Sequence, residues 1–155
     1  MYKRFLVPVD GSETSNKALV TALQMARDSG GAMRLVHLEN ELASLGMGEV
    51  DPSIVEELLE LGHSAAQKVI ADATAIAESA GVAVDSRLVT AMGERLGNVV
   101  AREATDWNAD LIVLGSHGRR GIGRVLLGSG AEQIIRMAPV PVLVIRSDTK
   151  PASSH

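Results

Sequence analysis

The sequence predicts an α/β fold, a single doubly wound domain with a parallel five-stranded sheet and helices on both faces. Three observations predict it. Short β-rich apolar runs alternate with longer amphipathic stretches, the pattern of strands covered by helices. One run, 111–114, is apolar on both faces, as a central strand of a parallel sheet must be. The chain of 155 residues, 46% hydrophobic and 22% charged, is long enough to bury one core without disulfides or metal.

Taken in order, Phe5–Val9 reads as the first strand, with Pro8 near its end, where a missing ladder donor costs least. Ser12 to about Asp28 reads as the first helix. Ala18, Leu19, Ala22, Leu23, Met25 and Ala26 recur at helical spacing, Ser12 is a suitable N-cap, and Gly30-Gly31 stops the run. Arg34–Leu38 is the second strand. The stretch Glu39–Asp51, with Gly46 and Gly48, is the longest irregular connection and a candidate lid, in which Met47 could fold over a base. Ser53–Ala80 follows as the second helix, with Pro52 before it and Gly81 after. The remaining elements are a strand at Val82–Val89, a helix at Glu94 to about Thr105, the strand Leu111–Leu114, a helix at Ser129 to about Met137 closed by Pro139, and a last strand at Val140–Ile145. Residues 1–146 thus form the domain and 147–155, without an apolar anchor, a flexible tail. Met33, Met92 and Met137 read as core filler.

Composition narrows the function classes. The 15 basic and 19 acidic residues leave a net charge of −4, which offers no stripe for nucleic acid, and no run approaches the roughly 18 apolar residues of a membrane span. The N-terminal apolar stretch before Asp10 is too short for a signal-peptide core, so a cytoplasmic location is expected. Cysteine is absent, which excludes a disulfide scaffold, a thiol nucleophile and a Cys-liganded metal. The four histidines are dispersed: His37 is expected half-buried in the sheet, His63 and His155 facing solvent, and His117 in a loop. They do not make a metal site.

That loop, 115–130, carries the chemistry. It follows the fourth strand and reads Gly115, Ser116, His117, Gly118, Arg119, Arg120, Gly121, Ile122, Gly123, Arg124, Val125, Leu126, Leu127, Gly128, Ser129, Gly130. Glycines at a strand end let the backbone approach a ligand, and a helix start offers free N–H groups and a positive dipole end, so a phosphate is the natural guest. Ser129, placed at the N-cap, would add a hydroxyl, and Arg119, Arg120 and Arg124 supply positive charge. The alternative reading is a glycine turn beside a solvated arginine face.

Other phosphate sites do not match. There is no G-x-x-x-x-G-K-[ST], and the first strand–helix turn, Val9 to Thr14, lacks G-x-G-x-x-G. Tyr2, Phe5 and Trp107, the only aromatics, sit in no strand-end loop that could stack a flavin. A receiver domain needs an acidic pair after the first strand and an aspartate after the third, where only Asp10 and Thr90-Ala91 stand.

The spacing Gly115-x2-Gly118-x9-Gly128-Ser129 resembles the ATP-binding signature of the universal stress protein family. The blocks Val7–Ser12, Leu35–Leu38, Asp110–Gly118 and Pro141–Val144 resemble the same family in the same order. The resemblance implies a sheet order 3-2-1-4-5 and a crevice flanked by Asp10 and Gly115. It implies that Pro8, Val9 and Asp10 line the adenosine side, with Asp10 near the ribose or a bound metal, and that the backbone at Leu38 meets the adenine edge. Gly115, Ser116, His117, Gly118 and Arg119 would wrap ribose and phosphates, and Gly128, Ser129, Gly130 and Ala131 would hold them at the helix start. Gly130 stands where the family usually has Val; its N–H still donates. A structural role remains open for Asp10, capping the first helix or polarising its own turn.

The resemblance further implies a cytoplasmic stress-response homodimer, paired through the edge strand 140–146, that binds ATP with Mg²⁺ or Mn²⁺ and regulates an unknown protein partner. Binding rather than turnover is the expected output. A slow ATPase is the alternative, with Asp10 holding a metal or water and Arg119 or Arg124 as clamps, and no dedicated base is visible. A third reading is a nucleotide-independent interaction protein.

Overall fold

A computed structural model describes residues 1–40, 51–91, 93–117 and 127–146. The elements alternate as expected: β1 (Arg4–Pro8), α1 (Glu13–Ser29), β2 (Ala32–Asn40), α2 (Pro52–Ser79), β3 (Ala83–Ala91), α3 (Leu96–Trp107), β4 (Leu111–Gly115), α4 (Ser129–Met137) and β5 (Val142–Ile145). The five strands form one parallel sheet in the order β3-β2-β1-β4-β5. The chain therefore reverses its winding between β1 and β4, and a crevice opens beyond their carboxyl ends.

Alternation along the central strands feeds two cores. Phe5, Val7, Leu111 and Val113 point to one face, where Ala18, Leu19, Ala22 and Leu23 of α1 and Ala73 and Ala77 of α2 cover them. Leu6, Ile112 and Leu114 point to the other, against Val100, Ala104 and Trp107 of α3 and Ala131 and Ile134 of α4. Met33 is core, as expected, whereas Met137 is exposed at the end of α4.

Helix boundaries follow local chemistry. Ser12 caps α1, its hydroxyl accepting the Ser15 N–H, and Gly30 ends it in the left-handed conformation at φ 66°. Asp51 caps α2, with Pro52 in the first turn. The Asp51 carboxyl lies below the ordinary carboxylate range because it accepts the Ser53 backbone N–H and then the Ser53 hydroxyl. The expected irregular stretch 39–51 is shorter than supposed: Glu39 and Asn40 pair with Thr90 and Ala91 as the last residues of β2. The rest of that candidate lid, Met47 included, lies outside the described residues, as do Met92 and the tail 147–155. β5 begins at Val142 rather than Val140 and, among the described residues, pairs with β4 alone at the edge of the sheet.

At the opposite end of the sheet, Trp107 closes α3. The Arg4 guanidinium stacks 4.1 Å above its ring and donates twice to its carbonyl, through Nε at 3.0 Å and Nη2 at 2.6 Å. Arg34 covers the same ring at 5.4 Å while gripping Asp85 with two hydrogen bonds. The bond to Asp85 raises the Arg34 pKa, so the charge on this grip is permanent. Glu103, only 4% exposed, takes Arg87 in a bidentate pair.

Candidate functional site

A cleft of about 740 Å³ lies at the winding reversal. That is within the range of pockets that hold small ligands and cofactors. Its floor is the carboxyl ends of β1, β2 and β4, through Pro8, Val9, Asp10, His37, Leu38, Glu39, Leu114 and Gly115.

Asp10 and α1 shape one rim. The Asp10 carboxylate accepts the Ser12 N–H at 2.9 Å, and its own N–H donates to the Ser15 hydroxyl at 3.1 Å. Asp10 thus holds its own turn, one of the structural roles open to it, while Ser12 rather than Asp10 caps α1. From the first turn of α1, the buried Thr14 hydroxyl donates to the His117 carbonyl.

The loop after β4 forms the second rim, drawn together at its base. Gly128 N–H donates to the Ser116 carbonyl at 2.7 Å, and Ser116 N–H to the Ile145 carbonyl at 2.8 Å. Close approach requires glycine at 115 and makes 128 tight for any side chain. A β-carbon on Gly115 would lie 2.7 Å from the Thr14 carbonyl carbon, and one on Gly128 would lie 3.1 Å from the His117 Cα. Helix α4 then starts at the cleft, and the N–H groups of its first turn, which lack intrahelical acceptors, belong to residues lining it: Ser129, Gly130 and Ala131. The dipole end makes this corner receptive to an anion.

Ten of the expected site residues line the cleft together: Pro8, Val9, Asp10, Leu38, Gly115, His117, Gly128, Ser129, Gly130 and Ala131. Two expectations change. Ser116 is buried and is not among the lining residues; its hydroxyl lies 3.1 Å from His117 Nδ1 in a hydrogen bond. Ser129 is not the N-cap: Gly128 takes that extended position and supplies no side-chain cap, which places Ser129 in the first turn. Gly118 and Arg119, with Arg120 and Arg124, lie outside the described residues.

Sequence reasoning missed a whole wall. Gly62, Ala65, Ala66 and Val69 of α2 face the cleft, along with Ser12, Ser15, Leu96 and Ile134. The 62, 65, 66, 69 spacing marks one helical face, but only tertiary packing tells that it fronts a cleft. His37 also lines it. Its Nδ1 donates to the Val9 carbonyl at 2.7 Å, so the neutral ring carries its acceptor at Nε2. His63 is exposed, as expected, yet it meets Glu39, a cleft residue with an 11% exposed side chain, at 2.8 Å.

The chain has counterparts among known proteins. A universal stress protein from Methanocaldococcus jannaschii, MJ0531, is 32% identical over 97% of this chain and 85% of its own length. The solved structure of the protein MJ0577 superposes with a TM-score of 0.82 at 26% identity, covering 97% of this chain and 99% of that one. The universal stress protein of Archaeoglobus fulgidus in complex with dAMP superposes with a TM-score of 0.67 at 23% identity, over 93% and 98% of the two chains. The family model described as the universal stress protein family matches residues 1–146, and with the order β3-β2-β1-β4-β5 beneath it, the chain belongs to the universal stress protein family.

Proposed function

We propose that this protein binds ATP in the cleft at the β1/β4 reversal and acts as a cytoplasmic, nucleotide-dependent regulatory module. The observation that carries the reading is the glycine cradle. Gly115 leaves no room for a β-carbon beside Thr14, a β-carbon on Gly128 would press on His117, and the start of α4 opens beside this bare stretch of main chain. Backbone held this close suits phosphates, which main-chain N–H groups bind without a cationic side chain. The Archaeoglobus fulgidus relative binds dAMP within the same fold, which supports an adenine nucleotide as the class of ligand.

In this reading Pro8, Val9 and Leu38 take the adenosine, His117, Gly118 and Arg119 the phosphates, and Asp10 stands where a nucleotide-borne Mg²⁺ or Mn²⁺ would meet a carboxylate. Asp10 and Glu39 are the acidic side chains among the described lining residues, and a divalent cation would offset their repulsion of phosphate. The edge strand β5 pairs with a second copy to close a homodimer.

The experiment is to denature freshly purified protein and identify released small molecules by chromatography and mass spectrometry. An adenine nucleotide near one per chain, or a melting shift in millimolar Mg-ATP, is the expected result. Neither would leave the glycine loop a scaffold and make the protein a nucleotide-independent interaction module.

A further inference from the structure

The cleft offers two kinds of surface. At the start of α4 it presents main-chain N–H groups, the chemistry of a phosphate site. Along α2 it presents Gly62, Ala65, Ala66 and Val69, small uncharged residues that suit the flat face of an aromatic ring rather than an anion. The base of a nucleotide whose phosphates sit at α4 would lie on the α2 side.

His37, half-buried near the end of β2, is on that side. Met33 and Leu35 share one core with Ala73 and Ala77 of α2, and alternation along the strand puts His37 and Glu39 on the same face. The Glu39 carboxylate bears this out, since it meets His63 of α2 at 2.8 Å.

One bond sets the His37 ring. A main-chain carbonyl can only accept, so the 2.7 Å contact with the Val9 oxygen puts the proton of the neutral imidazole on Nδ1 and leaves a lone pair on Nε2. Val9 is itself fixed, because its N–H donates to the Val36 carbonyl at 2.8 Å. Tautomer and ring orientation are therefore held by the strand ends before any ligand arrives. Among the described residues no donor reaches Nε2, whereas Glu39 Oε1 already accepts from His63 and from the Thr90 hydroxyl.

We infer that His37 determines specificity for the base: its Nε2 accepts a hydrogen bond from an exocyclic amino group, that of adenine in the function proposed above, and rejects a base with a carbonyl oxygen in that place. The inference rests on that reading in taking a purine nucleotide as the ligand. An oxo group would set its lone pairs against that of Nε2, and a bare ring carbon would leave Nε2 without a donor. A site built around a hydrogen bond discriminates against both.

The test uses the full chain and three nucleotides in calorimetry: ATP, purine riboside triphosphate, which has hydrogen in place of the amino group, and inosine triphosphate, which has an oxo group there. The unsubstituted chain should bind ATP about tenfold more tightly than purine riboside triphosphate, in keeping with one hydrogen bond to a desolvated acceptor, and inosine triphosphate more weakly still. His37→Phe keeps a ring against the α2 wall and removes the acceptor, so ATP and purine riboside triphosphate should then bind within about twofold of each other. A merely structural loss would weaken both together and leave their ratio unchanged. Heteronuclear NMR of the imidazole nitrogens needs no variant: the His37 Nε2 resonance of the unsubstituted chain should move toward the hydrogen-bonded range with ATP and not with purine riboside triphosphate. Equal binding of these two nucleotides to the unsubstituted chain, a preference that outlasts His37→Phe, or an unmoved Nε2 resonance overturns the inference while leaving nucleotide binding intact. Binding of none of the three overturns the proposed function with it.

Discussion

The Thr14 hydroxyl, in the first turn of α1, donates to the main-chain carbonyl of His117, in the loop after β4. This bond joins the two rims of the cleft across the point where the sheet reverses its winding. It also explains the glycine beside it, since Gly115 passes directly against the Thr14 main chain.

Gly115→Ala should therefore damage fold and site together. Its β-carbon would lie 2.7 Å from the Thr14 carbonyl carbon and 2.8 Å from the oxygen, both backbone atoms that cannot rotate away. We expect a loss of about 1–3 kcal/mol in denaturant unfolding, together with loss of ATP binding by calorimetry.

Gly128→Val should separate the two effects. Gly128 has φ −65°, which any residue adopts, and the neighbour is the His117 Cα at 3.1 Å in a loop that can give slightly. The expected outcome is a melting temperature lowered by less than in Gly115→Ala, with ATP affinity reduced by about tenfold or more, equivalent to about 1.4 kcal/mol. Equal affinity for ATP in variant and parent would count against the site.

Asp10→Asn tests the charge apart from the turn. The amide oxygen can still accept the Ser12 N–H that the carboxylate accepts at 2.9 Å, so the melting temperature should hold within a few degrees. Affinity for ATP should fall more with Mg²⁺ present than with chelator, which a titration in both conditions reads directly.

Trp107→Ala should destabilise without touching nucleotide binding. The ring is 9% exposed, stacked by Arg4 and Arg34, and packed on the α3 face of the sheet, at the end remote from the cleft. The expected cost is about 3–5 kcal/mol, measured by denaturant titration, with ATP affinity kept under native conditions.

Stability should decline in acid, in part through Asp51 and Glu94. Asp51 is held low by the Ser53 backbone N–H, and Glu94 by the side-chain hydrogen bonds from Arg102. A depressed folded pKa contributes stability above the unfolded value that is lost as pH falls through the folded one. The window is thus below about pH 4. Asp51→Asn with Glu94→Gln should melt with a shallower decline between neutral pH and acid than the parent, as followed by circular dichroism.

The periodicities of the chain carried the order of elements and their types. Ser12, Pro52 and Gly30 announced helix ends by chemistry confined to a few residues, and the all-apolar run 111–114 marked a central strand. The glycines 115 and 128 were legible from their spacing, and the structure shows why they stand there: a β-carbon at 115 would strike the Thr14 main chain and one at 128 would press on His117.

Other features needed the third dimension. Residues 62, 65, 66 and 69 form a helical face in any reading, but that this face walls the cleft depends on how α2 packs over β2 and β3. The meeting of His63 with Glu39, and of Trp107 with Arg4, joins residues 24 and 103 positions apart. The burial of Ser116 beside His117, one step past the end of β4, was likewise set by packing around the loop. By itself the sequence determined which residues are apolar, which turns are possible and where the backbone must come close, because those depend on neighbours along the chain. Only the tertiary structure decided which surfaces face each other, because that depends on packing between segments far apart in sequence.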